Sequence, residues 1–181
     1  MSSADREYFA FFGLPPNLTV DLDDLKARFY KLSREWHPDK FSRAPIEDQQ
    51  RALDATAVIN DGYRVLRDPI RRAEYVLSRN GFEIGEQKSK DVPPELLEEV
   101  FDLNMALEEL RSGDEDARPQ LESAKMKFVA MREEIDANLS GLFTKYDAAK
   151  DAAVLAEIRG ALNRRRYIEN LVRDVEKALA A

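Results

Sequence analysis

Apolar residues recur at spacings of three and four along most of this 181-residue chain, a pattern typical of amphipathic helices. The clearest helix follows Asp21, a good N-cap residue, and ends before Pro38, because proline disfavours the helical conformation in the residue that precedes it. Its buried stripe is predicted to comprise Leu22, Leu25, Phe29, Leu32 and Trp36.

Three more helices are expected in the first 80 residues. A short aromatic helix, 8–12, ends at Gly13, and a longer one runs from Pro45 to about Leu66. Pro69 starts the last, which Asn80-Gly81 closes, because proline suits the first turn of a helix and glycine the position after its end. We therefore predict a first helical domain at residues 1–80.

The helical periodicity lapses between 82 and 92, so we predict a linker at residues 81–93 and a second domain at 94–181. Three apolar seams in this domain predict an antiparallel three-helix bundle. The seams comprise Leu96, Val100, Leu103, Leu107 and Leu110; Leu121, Ala124, Phe128, Met131, Ile135 and Leu139; and Ile158, Leu162, Ile168, Val172, Val175 and Leu179. The expected fold class is all-α.

The composition narrows the possible chemistry. There is no cysteine, which excludes disulfides, thiolate catalysis and cysteine-ligated zinc, and with a single histidine any metal site would have to rest on carboxylates. We expect neither a metal site nor a cofactor. The net charge of −7 argues against a nucleic-acid partner. No apolar run approaches the roughly 20 residues that span a membrane, and the N-terminus lacks the apolar core of a signal peptide. The expected location is the cytoplasm, unless the chain is the mature form of a protein that has already been processed.

One basic surface stands out on this acidic chain. Residues 1–80 carry no net charge, so the whole excess of acid lies in 81–181. The outward face of the predicted 22–36 helix nevertheless carries four basic residues, Lys26, Arg28, Lys31 and Arg34. Such a face is either simply solvated or a steering surface for an acidic partner. The tripeptide His37-Pro38-Asp39, at the tip of the predicted helical hairpin, favours the second interpretation.

Several segments resemble a J-domain and, more narrowly, the HscB family of J-domain co-chaperones of iron–sulfur cluster assembly. The general resemblance rests on Trp36-His37-Pro38-Asp39-Lys40 and on Ile59-Asn60-Asp61-Gly62-Tyr63. The narrower one rests on Tyr8-Phe9-Ala10-Phe11-Phe12-Gly13-Leu14-Pro15, on Arg72-Ala73-Glu74-Tyr75-Val76-Leu77 and on the segment 96–104. The family usually has alanine where this chain has Gly62, a difference that costs about 1 kcal/mol of helix propensity.

The resemblance implies a co-chaperone rather than an enzyme. J-domains bind the nucleotide-binding domain of an HscA/DnaK-type chaperone and stimulate its ATP hydrolysis, while the HscB bundle delivers the scaffold protein IscU. By position, the docking role falls to Lys26, Arg28, Lys31 and Arg34, and the stimulating role to His37, Pro38 and Asp39.

The first helix of the bundle carries a second apolar line beside its seam, formed by Leu97, Phe101 and Met105 at spacings of four. A residue next along a helix points about 100° away, so this line is either the edge of a wide buried face or an exposed patch for a partner. The resemblance implies a scaffold-binding patch of Leu97, Phe101, Asp102, Met105 and, on the last helix, Tyr167.

Three other interpretations stay open on the sequence. The J-domain could serve a general co-chaperone with a different client protein. His37 and Asp39 could form a catalytic pair, although a hairpin tip leaves both exposed to water. The basic segment Arg164-Arg165-Arg166 could contact nucleic acid, but a solvated face that answers the acids of the bundle is favoured.

Overall fold

The computed structural model describes residues 7–82 and 94–180, and every regular element in those ranges is helical. The all-α prediction is confirmed. The predicted linker 81–93 lies outside the described residues except for Gly81 and Phe82. The α-helices are α1 (Tyr8–Phe12), α2 (Leu22–Glu35), α3 (Ile46–Leu66), α4 (Pro69–Arg79), α5 (Leu97–Arg111), α6 (Arg118–Ala149) and α7 (Ala152–Leu179).

The described residues form two compact units. The first combines α1 to α4 with Phe143–Leu155, which is the turn between α6 and α7 together with the adjoining helix ends. The second contains α5 and the remaining parts of α6 and α7. The apolar seams alone do not predict that residues 143–155 pack with the first unit.

The aromatic helix α1 is anchored to α4 in the core of the first unit. Tyr8, Phe9 and Phe12 are all buried. The amide of Tyr8 donates a hydrogen bond of 3.1 Å to the hydroxyl of Tyr75, and the two rings lie 5.0 Å apart. This contact joins the aromatic N-terminal segment to the Arg-Ala-Glu-Tyr segment of α4.

Arg72 of α4 is buried and holds two backbone carbonyls. Its Nε donates to the carbonyl of Leu18 at 2.8 Å, and its Nη1 donates to the carbonyl of Leu66. Burial lowers the pKa of Arg72, and the nearby carboxylates of Asp147 and Asp68 act in the opposite direction. The guanidinium therefore ties the loop before α2 to the end of α3.

The other side of the same loop is held by Asp147, near the end of α6. Its carboxylate accepts hydrogen bonds of 2.7 Å from the amides of Leu18 and Thr19, and another from the Thr19 hydroxyl. Lys150 Nζ lies 3.2 Å from the same carboxylate. Burial alone would raise the pKa of Asp147, but these hydrogen bonds outweigh it and leave the pKa below its ordinary value.

Gly62 has a packing role that the sequence did not reveal. It is buried in α3, where an added Cβ would lie 2.8 Å from Cε2 of Phe12 and 3.0 Å from Cδ1 of Tyr8. The helix propensity lost at this glycine is thus accompanied by close contact between α3 and the α1 rings.

The second unit has the predicted seams as its core. Its buried residues come from all three seams, with Phe128, Leu121 and Ile168 almost completely enclosed. One stripe residue of the first unit was predicted wrongly: Leu22 is largely exposed. It is the first residue of α2, where it lines a shallow surface cavity with Lys26 and Tyr63.

Replacing Gly62 with alanine should destabilise the protein by about 1 kcal/mol, because overpacking two buried rings costs about 1–3 kcal/mol and the gain in helix propensity is at most about 1 kcal/mol. The measurement is urea unfolding. Gly160→Ala, in α7, is the matched control, because its Cβ would have nothing within 4 Å. It should stabilise by about 0.5–1 kcal/mol. Equal effects of the two substitutions would contradict the packing role of Gly62.

Replacing Asp147 with asparagine should lower the free energy of unfolding at pH 7 by about 2 kcal/mol, because several amide and hydroxyl donors lose a charged acceptor. Since the folded-state pKa of Asp147 is depressed, its contribution is complete above the unfolded-state value of 3.8 and is lost as the pH falls through the lower folded value. Urea unfolding of both proteins from pH 7 to pH 3 should show the difference shrinking only below about pH 4. A difference that stays constant to pH 3 would refute this account.

Candidate functional site

The His-Pro-Asp tripeptide forms an exposed turn directly after α2. His37 caps a short 3-10 helix, Pro38–Phe41, and its Nδ1 accepts a hydrogen bond of 3.3 Å from the amide of Asp39. Pro38 occupies the first turn, where a missing amide proton costs nothing. The side chains of His37 and Asp39 are 57% and 91% exposed, with Nδ1 and Oδ2 3.6 Å apart. Both side chains are therefore accessible from solvent.

The base of this turn is fixed by aromatic stacking. The rings of Trp36 and Phe41 lie on either side of the tripeptide in sequence and are nearly parallel, with centroids 5.9 Å apart. The hydroxyl of Thr56 in α3 lies 2.8 Å from the carbonyl of Ala52 and 3.1 Å from the carbonyl of Trp36, and its one proton serves both acceptors. The start of the turn thus lies against α3 while the side chains of His37 and Asp39 stay in water.

Three of the four basic residues predicted for docking lie open on α2. Lys26, Lys31 and Arg34 are exposed, and Lys31 Nζ lies 4.0 Å from Glu35 Oε1. Arg28 is different, because its guanidinium is used inside the unit. Its Nε donates to Asp24 at 2.8 Å, and its Nη1 donates to the carbonyls of Phe12 at 3.0 Å and Gly13 at 2.8 Å.

Tyr30 belongs to the segment that resembles a J-domain, but it was not among the residues predicted for docking. It is 54% exposed, and it follows Lys26 by four positions and precedes Arg34 by four, so it lies between them on the same face of α2. Its ring also contacts the ring of Phe29, at 5.5 Å. The signal was available: an aromatic residue outside the buried stripe, at helical spacing from two basic ones.

The second apolar line of α5 is on the surface. Leu97, Phe101 and Met105 are 55%, 64% and 52% exposed, whereas the seam residues Val100 and Leu103 beside them are buried. The interpretation as a wide buried face is thus wrong for these three side chains.

The structure brings together only part of the predicted scaffold-binding patch in one cavity. Phe101, Asp102 and Met105 line a surface cavity between α5 and α6, and Asp102 is exposed. Tyr167 on α7 is partly buried against the core of the second unit, and this burial raises the pKa of its hydroxyl. The described lining of the cavity does not include Tyr167.

The basic segment of α7 makes ion pairs within the second unit. Arg165 donates to Asp136 of α6 at 2.6 Å and lies 3.2 Å from Glu169. This is the arrangement expected of a basic segment that pairs with acidic residues of the bundle.

Within residues 7–82 and 94–180, no group of three or more His, Cys, Asp or Glu side chains is arranged to hold a metal ion. None of the helices in those ranges is both long and apolar enough to cross a membrane.

Two family models match this chain, one over its N-terminal part and one over its C-terminal part. Residues 7–75 match the DnaJ domain, and residues 92–176 match the HSCB C-terminal oligomerisation domain. The first match contains the tripeptide and α2, and the second contains the exposed line of α5.

Two curated relatives show how far the similarity extends along the chain. The chain is 30% identical to a co-chaperone protein HscB homolog of Azoarcus sp., over 97% of its own length and 95% of the relative's. It is 43% identical to the Vibrio vulnificus homolog, but over only 60% of its own length and 63% of that relative's.

Two solved structures are also similar to this chain. Chaperone HscB from Vibrio cholerae superposes with a TM-score of 0.67 at 30% identity, covering 97% of this chain and 98% of that one. Human co-chaperone protein HscB gives a TM-score of 0.70 at 25% identity, covering 97% and 83%. With its exposed His-Pro-Asp turn, its all-helical fold and a homolog matched over nearly its whole length, this chain belongs to the HscB family of J-domain co-chaperones.

Proposed function

We propose that the protein stimulates ATP hydrolysis by an HscA/DnaK-type chaperone and delivers an IscU-type scaffold protein to it, promoting assembly or transfer of iron–sulfur clusters. The observation that carries this proposal is the exposed His37-Pro38-Asp39 turn, held at the end of a helix with an open basic face.

The chaperone-binding surface comprises the exposed residues of α2 and the turn that follows. Lys26, Lys31 and Arg34 attract an acidic surface on the chaperone, which raises the rate of association and fixes the orientation of docking. Tyr30 lies among these charges and adds an aromatic contact of the kind that often dominates binding energy. Arg28 contributes indirectly, because it holds the carboxyl end of α1 against α2.

The stimulating role belongs to the turn. Pro38 and the hydrogen bond between Asp39 and His37 restrict its backbone, while the carboxylate of Asp39 remains available to an arginine of the partner. A catalytic role for the pair is less well supported, since both side chains are surrounded by solvent and an acid–base site normally excludes water.

The scaffold-binding surface comprises Leu97, Phe101, Asp102 and Met105 on α5, with Tyr167 on α7. The support is the exposure of three large apolar side chains at spacings of four on one helix. An exposed apolar line of this length is typical of a protein-binding surface.

The two surfaces together make an adaptor. A chaperone that binds its client tightly only after ATP hydrolysis captures the client more efficiently when one protein both carries the client and stimulates hydrolysis. The reason is that the effective concentration of the client at the chaperone rises. The alternative of a general co-chaperone keeps the first surface and assigns the second to another client.

The test is the steady-state ATPase rate of a purified HscA-type chaperone with this protein, the scaffold, or both. We expect stimulation by the protein alone and a more than additive effect of the pair. His37→Gln should abolish the stimulation with unchanged circular dichroism and unfolding. Lys26→Ala and Lys31→Ala should instead raise the half-saturating concentration about threefold each, because an exposed charge pair is worth under about 1 kcal/mol.

Two outcomes would refute this proposal in different ways. Full stimulation of the ATPase by the His37→Gln variant would show that His37 of the turn is not needed for stimulation. Stimulation without any effect of the scaffold, in a protein that does not bind it, would favour the general co-chaperone.

Arg28→Ala should behave as a stability variant rather than a docking variant. Loss of its hydrogen bonds to the carbonyls of Phe12 and Gly13 should cost about 1–2 kcal/mol in urea unfolding. Lys31→Ala, whose side chain is exposed, should change stability by less than about 0.5 kcal/mol. The assignment is wrong if Arg28→Ala leaves the unfolding midpoint unchanged.

A further inference from the structure

The cavity beside the exposed line of α5 has a second wall. It encloses about 640 Å³ between α5 and the first turns of α6, entirely within the second unit. Phe101 and Met105 form its α5 wall, and Ser123 and Lys127 lie on the α6 wall. The completely buried Phe128 lies at its base.

We infer that the scaffold binds in this groove, so that Ser123 and Lys127 of α6 contact it as well as α5. The inference rests on the proposed scaffold-binding function and extends it from a patch on one helix to a groove between two. Its occupant is a segment of the scaffold with an apolar side chain at its centre and a basic residue beside it.

The shape of the groove favours an apolar side chain as its occupant. One wall presents the exposed faces of Phe101 and Met105, while the α6 wall has the short side chains of Ser123 and Ala124 between the longer ones of Gln120 and Lys127. Large groups facing small ones leave room for a side chain to enter from solvent. An occupant in this position would cover the two apolar residues more completely than a partner lying on α5 alone.

The charges around the groove indicate the rest of the occupant's chemistry. Lys127 Nζ lies 3.0 Å from Glu99 Oε1, and this hydrogen bond lowers the pKa of Glu99 below its ordinary value. That ion pair is neutral as a whole, whereas Asp102 presents an exposed carboxylate on the α5 side. Of the ionisable side chains that line the groove, the excess is one negative charge, which a basic residue of the partner would complement.

The test fills the groove from its α6 wall. Ser123→Trp places a large side chain in the space that the occupant needs, without altering α5. Its affinity for purified IscU-type scaffold, measured by calorimetry, should fall by about tenfold or more. Ser140→Trp is the matched control: the same exchange at an exposed position of α6 away from the groove should leave the affinity unchanged. Gln120→Trp, at another exposed position in the lining, should repeat the loss.

A charge exchange tests Lys127 separately. Lys127→Glu alone changes the charge excess of the lining from one negative charge to three and breaks the ion pair with Glu99, so it alters two quantities at once. The double exchange Glu99→Lys with Lys127→Glu keeps the excess at one negative charge and restores the ion pair in the reverse direction. If Lys127 contacts the scaffold, the double variant should bind more weakly than the wild type. Wild-type affinity of the double variant would overturn a direct contact.

Failure of this inference is distinguishable from failure of the proposed function. If Phe101→Ala with Tyr167→Ala abolishes scaffold binding while Ser123→Trp and Gln120→Trp bind normally, the groove is not the site but the patch is. If the wild-type protein does not bind the scaffold at all, both are overturned. If light scattering shows that the wild type self-associates and that Ser123→Trp prevents this, a second copy occupies the groove and the inference is wrong.

Discussion

A buried guanidinium must keep its hydrogen-bond acceptors, and this requirement organises the first unit. Arg72 is enclosed by the fold and donates to the carbonyls of Leu18 and Leu66. The amide of the same Leu18 donates to Asp147, so the loop before α2 is held by an arginine on one side and an aspartate on the other. Because α2 begins three residues after Thr19, the helix that carries the basic face takes its starting position from these contacts. Removing either partner would leave a buried polar group unsatisfied.

The basic residues of α2 illustrate why composition alone misleads about a binding surface. Arg28 and Lys31 carry the same charge and are three positions apart, yet one is used for internal hydrogen bonds and the other is open to a partner. Arginine suits the first role because its planar group can reach several acceptors at once. Tyr30, which carries no charge at neutral pH, lies on the open face between Lys26 and Arg34.

Much of this could be predicted from periodicity and from a resemblance to known motifs. The helices, the seams of the bundle and the exposed tripeptide follow from local spacing, because each depends on residues close together in sequence. The failures have two causes. Leu22 has the right spacing to be buried but lies at the very start of α2, where it is exposed. The others depend on distant contacts: by helix propensity Gly62 only weakens α3, whereas in the structure the rings of Tyr8 and Phe12 lie against it. The α6 side of the groove is invisible in the sequence because Ser123 and Lys127 have no pattern of their own.

The hydrogen bond between Leu18 and Asp147 also constrains the order in which the protein can be completed. The two residues are 129 positions apart, although both belong to the first unit. A ribosome makes the chain at about 5–20 residues per second and releases the N-terminal part first. The segment that carries α2 and the His-Pro-Asp turn therefore emerges several seconds before the aspartate that holds the loop ahead of α2. A nascent chain can thus complete the hydrogen bonds of that loop only after most of α6 has been made, when α5 with its exposed apolar line is already present.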